Sequence, residues 1–210
     1  MVIAMEQRRS AMLISGAQDW SMTLDRDLFT DAMSRAVTGV TVVTSEGESG
    51  RFGQTVSAMS SVSAEPPSLL ICINRRSPMC SAIERHRVFA VNVLRADQRR
   101  IAETFAGRPR SGLPYDFAGA RWEADVTGSP LLVGAVARFD CGLEAAITVG
   151  THEIFVGHVV GASANPGTPL VYARRGYGEL HSFPNRPAVP VRPGGDFEFE
   201  VETDLDLGEL

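Results

Sequence analysis

Apolar residues near the start of the chain recur three and four positions apart, which is the spacing of one helix face. The residues that share this spacing are Leu24, Leu28, Ala32 and Ala36, with Phe29, Met33 and Val37 beside them. Thr23 can cap the helix, and Gly39 can end it. Asp25 and Asp27 lie in the first turn, where acidic side chains stabilise a helix. The pattern therefore predicts one amphipathic helix before the first strand.

After this helix the pattern changes to the alternation and short apolar runs that are typical of strands. Such segments span residues 39–45, 51–58, 68–73, 88–94, 135–149, 152–162 and 170–174. Turns are predicted at 46–50, 150–151 and 165–167, short helices at 77–86 and 96–106, and an irregular loop at 107–119. Six or so strands with few helices favour a mainly β protein, a closed barrel with peripheral helices.

The length of the chain favours a single domain. Its 210 residues, of which 44% are hydrophobic and 21% charged, can bury one substantial core. Residues 1–22 are predicted to be a mobile leader, because their apolar patch is too short for a signal peptide. Residues 23–183 are the predicted domain. Residues 184–210 are rich in proline and glycine and then in acidic residues, which predicts a mobile tail.

The composition argues against several functions. A formal net charge of -5 disfavours nucleic acid or a membrane surface as the partner, and no apolar run is long enough for a bilayer. All 20 basic residues are arginine, which excludes a pyridoxal Schiff base or a Walker phosphate loop. The absence of G-x-G-x-x-G disfavours a Rossmann domain. Cys72, Cys80 and Cys141 are odd in number and widely spaced, which favours reduced thiols in a cytoplasmic protein.

A run of small and hydroxyl-bearing residues at 53–63 is the first indication of a ligand site. Such a strand leaves room for a flat ring against the backbone amides. Further along, Ser77 can cap a helix that has Pro78 at its first position, beside Arg75 and Arg76. Free amides, the helix dipole and two guanidinium groups would then converge on a phosphate. A planar ring next to a phosphate describes a flavin.

Five blocks of sequence, in a fixed order, resemble the short-chain flavin reductases that supply two-component flavin-dependent monooxygenases. The blocks are GVTVVTS, FGQTVSAMSSVSAEPPSLLICINRRS, FAVNVL, GTHEIFVGHV and PLVYARRGYGEL, and with the helix before them they cover residues 24–181. The resemblance implies a homodimer with a six-stranded split β-barrel that binds FMN or FAD. It also implies that NADH or NADPH reduces the flavin, which then passes to a partner monooxygenase.

The resemblance further implies which residues hold the cofactors. Those expected at the flavin are Gln54, Thr55, Val56, Ser57, Ala58, Ser60, Ser61, Ile73, Asn74, Arg75 and Ser77, with Phe89 and Asn92 closing the pocket. Those expected on the nicotinamide side are His152, Tyr172, Arg174 and Tyr177. His152 is the expected catalytic residue, through positioning and electrostatics, and no metal is expected. The family often has aspartate before this histidine, where this chain has Thr151.

Other interpretations of the same residues stay open. Alternation of Thr and Ser also suits the solvent face of a strand. His152 and His158 share one face of a strand, but the neighbourhood offers no further metal ligands. The other candidate functions are a flavin-dependent oxidase of the pyridoxine-phosphate-oxidase type and a non-catalytic flavin or haem carrier. The sequence does not decide whether the flavin is FMN or FAD, or whether the hydride donor is NADH or NADPH.

Overall fold

The computed structural model describes residues 24–107 and 115–181. The described residues up to Leu180 belong to one compact unit, and a second unit, His181–Leu210, lies outside the described residues except for His181. The predicted leader (1–22) and tail (184–210) also lie outside them. None of the helices within the described ranges is long and apolar enough to cross a bilayer.

Strands make up about half of the described residues. In chain order they are β1 (Thr38–Gly39), β2 (Thr41–Gly47), β3 (Gly50–Val56), β4 (Met59–Ala64), β5 (Pro67–Asn74), β6 (Val88–Val93), β7 (Trp122–Glu123), β8 (Leu131–Leu132), β9 (Ala137–Val149), β10 (His152–Ala164), β11 (Leu170–Ala173) and β12 (Gly176–Glu179). The largest sheet has the order β3-β2-β6-β9-β10-β5-β4, and its neighbouring strands are antiparallel. Two small sheets, β1-β11-β12 and β7-β8, complete the described part.

The large sheet is open. Its edges are β3 and β4, and no hydrogen-bonded ladder joins them within the described residues. The closed barrel predicted from the number of strands is therefore wrong. The mainly β architecture with peripheral helices is confirmed, and an unclosed sheet agrees with a split barrel.

Three helices lie at the periphery of the sheets in the described residues: α1 (Arg26–Ser34), α2 (Pro78–His86) and α3 (Arg99–Phe105). The helix predicted at 77–86 is confirmed, and Ser77 caps it as expected by accepting a hydrogen bond from the backbone N–H of Met79 at 3.2 Å. The segment predicted as a helix at 96–106 begins with a 3₁₀ turn, Ala96–Gln98, which continues directly into α3.

Helix α1 is shorter than the sequence predicts. Its cap is Asp25, whose carboxylate accepts two backbone N–H bonds at 2.7 and 3.0 Å, whereas Thr23 lies outside the described residues. The helix ends at Ser34, because the chain then turns to form β1 beside β11. None of its residues is buried, so its apolar side faces outward.

The core divides into two clusters. The first joins α2 to the large sheet, and its largest fully buried members are Ile71, Ile73, Met79, Ile83, Phe89 and Phe155. The second lies under α3 and includes Val40, Val42, Leu94, Ala102, Phe105, Leu132 and Leu170. Gly157 lets β10 approach this packing closely, since a Cβ there would stand 2.5 Å from Cζ of Phe89. The second cluster extends to Tyr172 and Tyr177 and so connects the core to the candidate site.

Candidate functional site

A cavity of about 530 Å³ lies where the end of β3 meets α3 and the start of α2. It is lined by Gly53, Gln54, Thr55, Ser77, Thr104, Phe105, Ala106, Gly107 and Tyr115. Gly53 is required for this wall, because a Cβ there would stand 2.5 Å from Cε1 of Phe105. We call this space the first cavity. Its volume is typical of pockets for small molecules and cofactors.

Gln54 and Ser77 are two polar residues of the first cavity that are hydrogen-bonded to each other. The Ser77 hydroxyl donates to Oε1 of Gln54 at 2.5 Å. This contact fixes the carboxamide, and the Gln54 amide nitrogen donates to no acceptor within the described residues. Thr55 differs, because its hydroxyl already donates to the carbonyl of Ala102 at 2.7 Å. Gln54 is therefore the better candidate to donate hydrogen bonds to a bound ring.

The start of α2 does not offer the free amides expected from the sequence. The backbone N–H groups of residues 75–77, 79 and 80 all have acceptors within the chain, at 2.9 to 3.2 Å, and Pro78 has none to give. Arg75 and Arg76 remain: both are exposed, and neither guanidinium has a hydrogen-bond partner in the described residues. A phosphate at this helix end would be recognised by guanidinium charge and the helix dipole instead of by amides.

A second cavity, of about 470 Å³, adjoins the first, because Thr55 and Ala106 line both. Its other lining residues are Val40, Ser57, Arg99, Glu103, Tyr172, Arg175, Gly176 and Tyr177. The rings of Tyr172 and Tyr177 meet edge to face at 5.3 Å. Arg99 lies over the Tyr177 ring, with Cζ 5.5 Å from its centroid, and forms an ion pair with Glu103 at 2.9 Å.

Of the residues predicted for the nicotinamide side, Tyr172 and Tyr177 line the second cavity, and Arg174 does not. Arg174 and Arg175 both have positive φ, 50° and 62°, in the turn between β11 and β12. This tight turn directs the next residue, Arg175, to the cavity wall. Arg175, next to the predicted Arg174, is thus the arginine of this turn that lines the second cavity.

His152 begins β10 opposite Asn74 of β5, so the structure brings these two predicted residues together. The Thr151 hydroxyl lies 3.0 Å from Nδ1 of His152. Its carbonyl accepts the N–H of Arg75 at 3.0 Å, which ties the histidine turn to the arginine pair. Thr151 therefore occupies the orienting position that aspartate often has in the family. His152 is exposed and lines neither cavity.

Several residues predicted for the flavin pocket lie in the core instead. Ile73, Phe89 and Asn92 are fully buried, and Val56 is 5% exposed. Asn92 is also engaged at both ends of its amide, since Nδ2 donates to the carbonyl of Val42 at 3.0 Å and Oδ1 accepts from Leu132 at 2.7 Å. The side chains of Phe89 and Asn92 thus do not close the pocket, because the sheet encloses them.

The remaining predicted residues lie along an open strand edge. Ser57, Ala58, Ser60 and Ser61 are exposed at the start and along the length of β4. Of these four residues, Ser57 lines the second cavity, and none lines the first. The described residues of one chain therefore leave this hydroxyl-bearing edge uncovered.

Helix α3 and the residue that follows it contribute to both cavities, which the sequence did not predict. Arg99, Glu103, Thr104, Phe105 and Ala106 line one or both cavities. Their helical spacing was visible, but it gives no sign of which strand the helix covers. The available signal was the pair of Arg99 and Glu103, which are four residues apart and so share one helix face.

The three cysteines contribute no reactive thiolate. All are free thiols, and burial raises the pKa of each above its ordinary value, that of Cys141 to about 12. Their chemistry is that of small apolar side chains, as the sequence predicts.

The open antiparallel sheet agrees with a split barrel, and the two adjoining cavities form its candidate site. Comparison with known families agrees: the family described as "Flavin reductase like domain" matches residues 33–181. The chain belongs to this family.

Three similar proteins indicate the breadth of the family. FMN reductase (NADH) RutF of Ancylobacter novellus is 39% identical over 156 residues, which cover 73% of this chain and 84% of that protein. BorF, the flavin reductase component of a bacterial two-component tryptophan halogenase, is 35% identical with a TM-score of 0.69, over 76% of this chain and 100% of BorF. The NADH:FAD oxidoreductase SgcE6 of Streptomyces globisporus C-1027, in complex with NAD and FAD fragments, is 30% identical with a TM-score of 0.68, over 78% of this chain and 96% of SgcE6.

Proposed function

We propose that this chain uses NADH to reduce FMN or FAD and supplies the reduced flavin to a partner monooxygenase. The observation that carries the proposal is the pair of adjoining cavities, one with a fixed carboxamide near two arginines and the other lined by a tyrosine pair. The printed names of the relatives support it, since RutF is an NADH-dependent FMN reductase and SgcE6 an NADH:FAD oxidoreductase. BorF supports the supply of reduced flavin to a separate component.

A flavin bound here would supply the acceptor for a hydride from the nicotinamide. The residues of the chain have the task of binding and orienting. Gln54 donates to the ring, while Arg75 and Arg76 neutralise phosphate charge. Tyr172 and Tyr177 wall the space beside it for the nicotinamide. This division of labour requires positioning and no paired acid and base.

We also propose that the protein works as a cytoplasmic homodimer. The apolar side of α1 and of the residues that flank it supports the dimer, because the large apolar side chains there are each 54 to 66% exposed. They are Leu28, Phe29 and Met33 on the helix and Leu24 and Val37 beside it. The uncovered edge of β4, with Ser60 and Ser61, would also gain a neighbour from a second copy. Free cysteines support the cytoplasmic location.

The proposed activity is tested by anaerobic mixing of the protein with FMN or FAD and with NADH or NADPH in four separate cuvettes. We expect rapid bleaching of the visible flavin absorbance with NADH, and slower bleaching or none with NADPH. Flavin binding without bleaching by either nucleotide would contradict the proposal. That result would favour a carrier, or an oxidase with a substrate of its own.

Replacing His152 with alanine is expected to lower kcat/KM for NADH by about five- to twentyfold, because the imidazole helps to position the reacting rings. The dissociation constant for flavin should stay within about twofold of the wild-type value. His158→Ala is the matched control, since His158 is an exposed histidine on the same strand that pairs with Ser68 instead of with Asn74. Equal steady-state constants for the two variants would show that His152 has no role in the reaction.

A further inference from the structure

Ser45, Ser49 and His86 form a hydrogen-bonded chain at the far end of α2, away from both cavities. Nδ1 of His86 lies 2.9 Å from the Ser45 hydroxyl oxygen, and Nε2 lies 2.5 Å from that of Ser49. Ser77 precedes α2 and His86 ends it, so its nine residues separate the first cavity from this histidine by about 13 Å. The flavin reductase activity has no use for this group of residues.

The hydrogen bonds determine where each proton lies. Ser45 donates its single hydroxyl proton to the carbonyl of Val88 at 2.7 Å, so towards His86 it can only accept. Nδ1 of His86 must therefore carry the ring proton, and Nε2 is left with its lone pair. Ser49 must in turn donate its hydroxyl proton to Nε2. This is the arrangement of a serine nucleophile with its general base.

The surroundings keep the imidazole fixed and neutral. The hairpin backbone lies against one side of the ring, since a Cβ on Gly47 would stand 2.5 Å from Cδ2 of His86. The Phe52 ring lies 6.0 Å away, centroid to centroid. Burial and, to a smaller extent, the charge of Arg85 lower the pKa of His86, against the opposing effect of Glu46. The ring is thus an unprotonated acceptor near pH 7.

Ser49 is exposed at the hairpin between β2 and β3 and opens onto a cavity of about 470 Å³. The cavity is lined by Gly47, Glu48, Ser49, Arg85 and His86. Nη2 of Arg85 lies 3.4 Å from the Ser49 hydroxyl oxygen, where a cation could stabilise an oxyanion. The carboxylate of Glu48 on the same wall disfavours anionic acyl groups.

We propose that Ser49 and His86 form a second reactive site, at which Ser49 attacks neutral carboxylic esters with His86 as the base. As Oγ bonds to the carbonyl carbon, its proton passes to Nε2. Collapse of the tetrahedral adduct breaks the ester C–O bond, and the proton goes to the leaving alcohol. The products are an acyl ester on Ser49 and a free alcohol, and water then releases the acid.

The test uses the full chain with a fluorophosphonate probe and with p-nitrophenyl acetate. We expect the probe to label the protein at Ser49, as located by mass spectrometry, and both Ser49→Ala and His86→Gln to lower the rate of labelling by about tenfold or more. Ser81→Ala is the matched control, because Ser81 lies on α2 and its hydroxyl donates only to the Pro78 carbonyl at 3.1 Å. It should label like the wild type.

Flavin reduction by Ser49→Ala should stay within about twofold of the wild-type rate, which also shows that the variant is folded. Wild-type labelling no faster than that of Ser49→Ala would overturn the proposal. Release of p-nitrophenol that persists in Ser49→Ala and disappears in His86→Gln would overturn it as well, since the imidazole would then be the attacking group.

Discussion

Replacing Asn92 with alanine is expected to lower the free energy of unfolding by about 2–4 kcal/mol. Asn92 is fully buried on β6, where it joins two parts of the core. Its amide nitrogen lies 3.0 Å from the Val42 carbonyl and 3.4 Å from both the Thr44 hydroxyl and the Pro130 carbonyl. Alanine would leave a small void. It would also leave the buried N–H of Leu132 without an acceptor, because that group donates to Oδ1 of Asn92 at 2.7 Å. Urea denaturation followed by circular dichroism measures this loss.

Asn165→Ala is the control. Asn165 also donates to a backbone carbonyl, that of Ala135 at 2.8 Å, but unlike Asn92 it is exposed to solvent. We expect it to cost about 0.5–1.5 kcal/mol. At a temperature where Asn92→Ala is still folded, its flavin affinity should match that of the wild type. Weaker flavin binding with unchanged unfolding would restore Asn92 to the pocket, as the sequence predicted.

Asn92 also shows why the sequence predicts this fold better than this site. Apolar residues on either side identify β6 as a strand, and that prediction is confirmed. A polar residue within such a strand is compatible either with a ligand or with a buried hydrogen-bond network. Which of the two applies to Asn92 depends on its hydrogen bonds with Pro130 and Leu132. Both residues are distant from Asn92 in sequence, so no local pattern reveals these contacts.

Strand β4 is a second case. Residues 59–64 contain three serines, with Met59 and Val62 in no regular alternation, so the strand predicted at 51–58 ends before them. The hydroxyl-bearing run at 53–63 suited a strand edge, and the structure divides it between β3 and β4. Strand β4 pairs with β5 through its backbone, and side-chain pattern contributes little. Edge strands of this kind are poorly predicted, because only one side of the strand needs a partner.

The start of α2 is the clearest correction at the site. The cap at Ser77 and the first-turn Pro78 were predicted from local chemistry, and the cap is confirmed. Whether the backbone amides of residues 75–77 are free depends on Asn74 and Thr151. The oxygen atoms of these two residues accept hydrogen bonds from all three amides. A sequence pattern shows which groups a helix end contains, but not which are already bonded.

Replacing both Arg75 and Arg76 with alanine is expected to weaken FMN binding by about thirty- to 150-fold. Because both side chains are exposed, each charged contact with a phosphate is worth about 1–1.5 kcal/mol, and the pair 2–3 kcal/mol. Riboflavin, which lacks the phosphate, should bind the variant and the wild type equally. Titration of flavin fluorescence measures both affinities, and raising the salt concentration should narrow the difference for FMN.

Arg100→Ala with Arg121→Ala is the matched control for this double variant, since it removes the same charge from two exposed arginines that line neither cavity. It should change FMN affinity by less than about twofold, apart from a weak long-range effect that salt removes. Lysine in place of both Arg75 and Arg76 should recover part of the affinity, because the charge is kept although the planar guanidinium fork is lost.

Unchanged FMN binding by the Arg75 and Arg76 alanine variant would place the phosphate elsewhere. An equal loss of affinity for riboflavin would mean that the two arginines support the shape of the pocket. We expect the loss of affinity to be selective for FMN because the amides at the start of α2 are already hydrogen-bonded within the chain. Guanidinium charge is then the group at this helix end that can distinguish FMN from riboflavin.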